Sequence, residues 1–437
     1  MKRFRAGHDL AELDVAELEA DWPMTDRAQP NTAASAAKAG RPVVLQVLPR
    51  LVTGGAERGA VDIAVTLAEA GGTSLVASEG GPMEYELKRG GVPHIKLPLA
   101  SKNPLVMRRN VGRLSSIIEE HDVDIVHARS RAPAWSALSA AKQAGCHFVT
   151  TFHGTYEAGS AIKRFYNAIM VKGERVIANS EFIARHIREV YKVDPGQIRV
   201  IRRGVDLDRF DPERVSAERV IQLAKRWRLP DGVPVIMLPG RLARWKGHTV
   251  LIEALAGLGD LELLCVIVGS DRGRAAYRSE LEKLIARNGL DSRVFLTGHC
   301  DDMPAAYMLA DVVVSASTEP EAFGRVVSEA QAMGCPVVAS DHGGAREQVV
   351  GNRTAFLYPP NHAAQLTEML RKALALDANE RERLAEEARA HVMANFDKRH
   401  MCAATLALYR EILRTEAVAN LGAERRPQTR GETPAGP

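Results

Sequence analysis

The stretch EPEAFGRVVSEAQAMGCPVVAS, residues Glu319 to Ser340, reads as a turn that opens into a helix, a stop at Gly334, and an apolar strand from Pro336 to Ala339. A helix feeding a wholly apolar strand is the unit of an α/β fold, because a parallel sheet is covered on both faces. Two carboxylates, Glu321 and Glu329, bracket the turn. With a helix starting near Phe323, they are separated by roughly 12 Å at a rise of about 1.5 Å per residue. That is about the span from the hydroxyls of a sugar, across a diphosphate, to a ribose. Between them lie the amides of Phe323, Gly324 and Arg325, where a helix N-terminus exposes unpaired N–H groups to an anion. Carboxylates accept from hydroxyls, amides donate to phosphate, and Gly324 admits close backbone approach. Alone, such a Glu pair is more often a loop acid and a solvated helix residue; the loops elsewhere in the chain give it weight.

The rest of the chain repeats the same alternation. From Pro42 onward, apolar runs recur at Val43–Pro49, Ser74–Ser78, His94–Leu99, Asp124–Ser130, His147–Phe152, Arg175–Ser180 and Ile198–Arg202. Helical patterns such as Glu57–Glu69 and Glu181–Val190 fill most gaps. After a polar stretch a second series begins: Val233–Gly240, Leu261–Gly269, Val294–Gly298, Ala310–Ser317 and Cys335–Ser340. Helices are expected over His248–Ala256 and Arg274–Asn288. The fold class is therefore α/β, two Rossmann-like doubly wound domains over 41–205 and 231–397, joined by a linker over 206–230. Residues 1–40 and 418–437 read as flexible extensions. Two such sheets leave a cleft between their strand C-terminal edges, where ligands bind.

Length and composition agree with this division. A chain of 437 residues, 46 % hydrophobic, is long enough for two domains of ordinary size plus extras. No run approaches the roughly 20 apolar residues that span a bilayer. The five cysteines are odd in number and widely spaced, which fits reduced thiols better than a disulfide framework. The N-terminal MKRFRAGHDLAELDVAELEA is basic at first, then acidic where a secretory signal needs an apolar core. A cytoplasmic protein is expected.

Loops after strands supply further candidates. Gly54 and Gly55 directly precede a helix beginning near Glu57, a place where backbone can approach an anion, although the spacing is not GxGxxG. A plain strand-to-helix turn fits these glycines equally well. Arg241 and Lys246, in PGRLARWKGH, lie five apart in a loop leading into a helix. A forked guanidinium and a point ammonium suit the two phosphates of a diphosphate, and can offset the charge of a departing nucleoside diphosphate without a metal. Gly343 and Gly344, in SDHGGAREQV with Glu347, form another glycine turn suited to a phosphate or sugar contact. His153 follows a strand and precedes Gly154; most histidines so placed are simply hydrogen-bonded loop residues. No HExxH and no Cys/His cluster occurs, and the adjacent Asp301 and Asp302 open a helix, where acids act as caps. No metal site is expected.

The ordered set GGAE (Gly54–Glu57), FHG (Phe152–Gly154), ANSEF (Ala178–Phe182), GVD (Gly204–Asp206), GRLARWKG (Gly240–Gly247) and EAFGRVVSEAQAMGCPVVAS with GG following resembles the retaining glycosyltransferases of family four, which have the GT-B fold. The resemblance runs from about residue 42 to 416 and is most specific in its last block. It implies a nucleoside-diphosphate sugar as donor substrate with no separate cofactor. It further implies that Arg241 and Lys246 hold the diphosphate, Glu329 the ribose and Glu321 the donor sugar hydroxyls. His153 would line the catalytic centre, and the Gly54–Gly55 loop would approach phosphate and acceptor. Retention by front-face attack is implied, the leaving phosphate helping to deprotonate the acceptor, so that no carboxylate need act as nucleophile, unlike retaining glycosidases. A last helix over about 398–416 would cross back onto the first domain. One departure stands out: Arg203 occupies the position before GVD where the family commonly has Asn.

Charge bears on the acceptor. Between Ser101 and Val205 there are 17 Lys and Arg against 9 Asp and Glu, although the whole chain carries only +4. Arg108, Arg109, Arg113, Arg129, Arg131, Lys163 and Arg164 contribute to this surplus, and a basic face attracts anionic membranes or acidic acceptors. Peripheral contact of the first domain with an inner membrane face and a lipid-linked acceptor, such as a lipopolysaccharide core, is one expectation; a solvated basic face is the other. Two further functions fit parts of the sequence. A nucleotide-sugar 2-epimerase would need the donor site but no acceptor, and a nucleic-acid binder would use the basic domain, although no aromatic-studded basic patch supports it.

Overall fold

The computed structural model describes residues 41–52, 54–156, 159–271 and 273–424. The expected extension over 1–40, and 425–437 of the expected tail, lie outside them.

Short β-branched runs form two separate parallel sheets. The first has seven strands: Val43–Val47 (β1), Thr73–Ser78 (β2), His94–Lys96 (β3), Ile125–Ala128 (β4), His147–Phe152 (β5), Arg175–Ala178 (β6) and Ile198–Val200 (β7). Their order is β3-β2-β1-β4-β5-β6-β7. The second has six: Val235–Pro239 (β8), Leu264–Val268 (β9), Val294–Gly298 (β10), Val312–Ser315 (β11), Val337–Ser340 (β12) and Phe356–Tyr358 (β13). Here the order is β10-β9-β8-β11-β12-β13. In both, the first strand in sequence is internal and the order reverses beside it, which creates the crevice at the C-terminal strand ends where such sheets bind ligands. β13 was not anticipated: three residues are too few for a period-2 signal to stand out.

Helices cover both faces of each sheet. The helix Gly55–Glu69 buries Ala60, Ile63, Ala64 and Leu67, an apolar stripe at three- and four-residue spacing. The last helix, Lys398–Glu424, leaves the second domain and packs on the first. Its Met401, Cys402, Leu406, Tyr409 and Ile412 lie among Val44, Ile63, Ile125, Val149 and Ile177. At the crossing, Val205 N–H donates to the Phe396 carbonyl (2.7 Å) and Lys398 N–H to the Val205 carbonyl (2.9 Å).

The segment read as a linker is partly helical. Ala217–Trp227 forms a helix whose Val220, Leu223 and Trp227 pack on the core of the second domain, and Arg219 pairs with Asp302 (2.8 and 2.6 Å). Polar flanks hid an i, i+3, i+7 apolar stripe. Asp302 also accepts from Ala305 N–H, a helix cap. No described helix is long and apolar enough to cross a membrane.

Candidate active site

The two sheets face each other across a cleft of about 560 Å³. Nine of the residues singled out from sequence line it: Gly54, Gly55, His153, Arg241, Lys246, Glu321, Phe323, Gly324 and Glu329. They come from loops that follow β1, β5, β8 and β11, since parallel strands deliver all their C-terminal ends to one edge.

Glu321 sits on the loop after β11 with little exposed surface. Lys246 Nζ lies 2.8 Å from its Oε1, and the Ser317 hydroxyl donates to the same oxygen. Burial pushes the Glu321 carboxyl up, but the Lys246 charge and these two hydrogen bonds outweigh it and hold the acid below its ordinary range. Lys246 also stands 4.5 Å from the centre of the Trp245 ring. The lysine is thus fixed by a carboxylate across the site, a pairing that separate readings of the two residues did not anticipate.

Glu329 lies on the helix Arg325–Ala332. Tyr307 Oη donates to its Oε2 (3.2 Å), and Arg325 Nε is 3.6 Å from its Oε1, so its second oxygen edge is held in place at the wall of the cleft. The helix begins at Arg325, two residues later than expected. Gly324 is its N-cap at φ 81°, a left-handed conformation in which a side chain would be strained. The helical rise therefore governs only half of the Glu321–Glu329 interval. The Phe323 side chain points away, packed edge-on to Phe396 with ring centres 5.5 Å apart; only its backbone is available to a ligand.

Gly343 and Gly344 are placed differently from the expectation of a ligand contact. They do not line the cleft but lie behind its loop. Gly344 N–H donates to the Glu321 carbonyl (2.8 Å), and a Cβ there would meet the Ala322 carbonyl oxygen and the Phe323 Cα, each at 2.5 Å. These glycines let the loop pack close enough to aim Glu321. Glu347, in the same turn, reaches the other domain: its carboxylate accepts from the N–H groups of Glu181 (2.9 Å) and Phe182 (2.6 Å).

His153 Nδ1 is 2.8 Å from Arg203 Nη2. A guanidinium only donates, so Nδ1 accepts and Nε2 carries the proton of the neutral ring. Burial, then the charges of Arg203 and Arg129, push the imidazole well below its usual pKa. His153 therefore presents an N–H donor, and its Nε2 has no partner among the described residues. Arg203, noted in the sequence only as a departure, lies half-buried beside it; desolvation and the neighbouring Arg325 and Arg129 lower its pKa to about 9.

Tyr307, Ser317, Asn179 and Arg203 are the lining or supporting residues that sequence reading missed as site residues. Asn179 and Ser180 lie in ANSEF directly after β6, a position that could have drawn attention; Tyr307 sits inside an apolar helix with no local signal. The basic surface is also smaller than expected. Arg129 is buried, and Arg131 donates to Asn167 (2.8 Å) and stacks on Tyr156. Arg108, Arg109, Arg113, Lys163 and Arg164 remain exposed.

Comparison with known proteins gives a consistent result. Residues 53–209 match the family model described as Glycosyltransferase Family 4, and residues 221–391 that described as Glycosyl transferases group 1. A D-inositol 3-phosphate glycosyltransferase of Jonesia denitrificans is 31 % identical over 261 residues, 58 % of this chain and 60 % of the relative. The chain thus spans under two thirds of that relative's length. A GDP-mannose-dependent alpha-mannosyltransferase of Mycobacterium tuberculosis is 31 % identical, over 64 % of this chain and 71 % of the relative. Among solved structures, a glycosyltransferase from Rickettsia africae superimposes with a TM-score of 0.79 at 39 % identity, covering 85 % of this chain and 99 % of that one. Anabaena HepE in complex with UDP-glucose gives 0.74 at 26 % identity, covering 83 % and 99 %.

Proposed function

Because the chain belongs to the group 1, family 4 glycosyltransferases, we propose that it moves a sugar from a nucleoside-diphosphate sugar to a glycan or lipid-linked acceptor, with retention of anomeric configuration. One observation carries this reading: Glu321, locked to Lys246, and Glu329, held by Tyr307, face one cleft with a glycine-capped helix start between them. Glu329 receives the ribose hydroxyls, the amides at Gly324 and Arg325 the phosphates, and Glu321 the donor sugar. The UDP-glucose held by the HepE relative supports a nucleotide sugar as the donor class.

As the glycosidic C–O bond to the diphosphate breaks, negative charge grows on the leaving oxygen. Arg241 and Lys246 stand on the wall where that charge develops and lower the barrier electrostatically. The departing phosphate oxygen takes the proton of the attacking acceptor hydroxyl on the same face, while His153 Nε2–H orients a hydroxyl at the reacting centre. With these two cations doing the work, turnover needs no metal or other cofactor and persists in excess EDTA; strict dependence on an added divalent ion would refute this.

We assign the acceptor to the surface of an anionic membrane, in the assembly of lipopolysaccharide or another cell-surface polysaccharide, from a cytoplasmic location. Ile162 and Phe165 are exposed beside Lys163 and Arg164 on one short helix, the pairing of apolar and basic groups that seats a protein at a lipid interface. Co-sedimentation with anionic vesicles should fall in high salt and fall further in I162E/F165E; binding indifferent to both removes the assignment.

The donor reading is tested by a melting screen of nucleoside diphosphates. One base class should stabilise the wild type, and the shift should be largely lost in Glu329→Ala. A shift that survives intact in the variant would show that Glu329 does not hold the nucleotide.

A further inference from the structure

Beneath the floor of the cleft, on the first-domain side, lies a second and much smaller chamber of about 20 Å³. His153, Asn179, Arg203, Gly55 and Arg325 border both spaces, so the chamber adjoins the cleft. Its inner wall is Arg129, at the end of β4.

This chamber holds an unusual concentration of unanswered donors. Arg129 is 4 % exposed, yet its Nε and Nη1 have no partner among the described residues; Asn179 is 2 % exposed with both side-chain polar atoms unpartnered; His153 Nε2–H is likewise unpartnered. Arg203 spends one N–H on His153. A Cβ at Gly55 would collide with Arg203 Nη1, so the guanidinium lies directly against the first turn of the Gly55–Glu69 helix, whose free amides add positive potential. Two acids stand near. Asp62, on the chamber wall, is 3.9 Å from Arg58, a guanidinium already paired with Glu86, and burial pushes the Asp62 carboxyl up to about 6. Glu57 folds back over Gly54; neither acid is hydrogen-bonded to Nε or Nη1 of Arg129. Buried charges ordinarily carry a paired counter-charge, and buried donors a partner.

We propose that the acceptor carries an anionic group, a carboxylate or a phosphate, and that Arg203, backed by Arg129 and flanked by Asn179, receives its oxygens in this chamber. The volume takes one or two oxygen atoms, about that of a single water site, so the body of the acceptor stays in the larger cleft. The donor's own diphosphate is a separate demand. It faces Arg241 and the Lys246–Glu321 pair on the wall of the second domain, whereas Arg129 and Arg203 belong to the first. Arg203 and Arg129 are thus specificity-determining residues for the acceptor. The inference rests on the donor reading above.

The test uses the full chain saturated with the nucleoside diphosphate that stabilises it. Inorganic phosphate or glucuronate, at constant ionic strength against chloride and glucose, should raise the melting temperature further. In Arg203→Asn, the residue common at this position in the family, the added shift should demand a roughly tenfold higher anion concentration, as expected for one charge-assisted hydrogen bond, while the nucleotide shift persists. Arg129→Met should act in the same direction. No additional shift in the wild type, or one unchanged in Arg203→Asn, overturns the proposal. A shift that phosphate gives only without nucleotide would assign the chamber to the donor's phosphate and overturn it equally. If no nucleoside diphosphate stabilises the protein at all, the donor reading fails first and this inference with it.

Discussion

The pair Lys246 and Glu321 joins two residues 75 positions apart, each of which is half of a catalytic argument. Removing the charge from one partner leaves the other desolvated, a loss of about 3 kcal/mol for a well-buried pair. Glu321→Gln should therefore lower stability by that order at pH 7. The sign of its pH dependence follows from the direction of the shift. The folded-state pKa of Glu321 is depressed below the ordinary carboxylate range, so its contribution is fully present above that range and disappears as pH falls through the lower folded pKa. Melting curves of wild type and variant should converge towards acid, and a gap that widens below pH 4 would contradict the ion pair. The histidine follows a different logic. Burial keeps His153 neutral, so catalytic profiles should show no imidazole ionisation between pH 6 and 8.

At the scale of elements, the last helix is the clearest case of a segment whose position matters more than its composition. His127 at the centre of the first sheet is fully buried, with Tyr409 Oη 2.6 Å from Nδ1 and Thr151 Oγ1 2.7 Å from Nε2. The Tyr409→Phe change removes one buried hydrogen bond and should cost about 1 to 2 kcal/mol, read as a lower denaturant midpoint with an unchanged slope. Gly344→Ala pushes a methyl into the backbone of the Glu321 loop. The expected result is weaker nucleotide binding together with reduced stability; wild-type nucleotide affinity would show that the loop can yield. Strand and helix identities in both domains were legible from periodicity, including the helices Glu181–Tyr191 and His248–Ala256. Among the elements that escaped were the short β13 and the helix Ala217–Trp227, where the local pattern was too brief or too polar to compete with a reading as loop, and the helices Ala363–Leu374 and Ala378–Asn395.

The whole molecule is held closed by contacts that no single domain contains. Ser180 Oγ donates to the Ala322 carbonyl (2.6 Å). Glu347 of the second domain caps the helix Glu181–Tyr191 of the first, placing a carboxylate where the helix dipole favours it. Glu347→Ala should weaken closure by about 1 kcal/mol. Small-angle scattering should then report a larger radius of gyration, and the donor KM should rise with little change in melting temperature. An unaltered radius and KM would mean that the domains are held by other contacts. Closure brings His153 and Arg203 from the first domain against Glu321 and Arg325 from the second.

By itself, the sequence determined the alternation of strand and helix, the division into two sheets, and the loops at which Gly54, His153, Arg241 and Glu321 stand. Those are consequences of periodicity and backbone stereochemistry, which act over a few residues. Only the tertiary structure decided that Lys246 spends its charge on Glu321, that Gly343 and Gly344 brace a loop, and that Arg129 is buried among unpaired donors. Such outcomes depend on which side chains are stripped of water together, and desolvation is a property of residues brought close across the fold, whatever their distance along the chain.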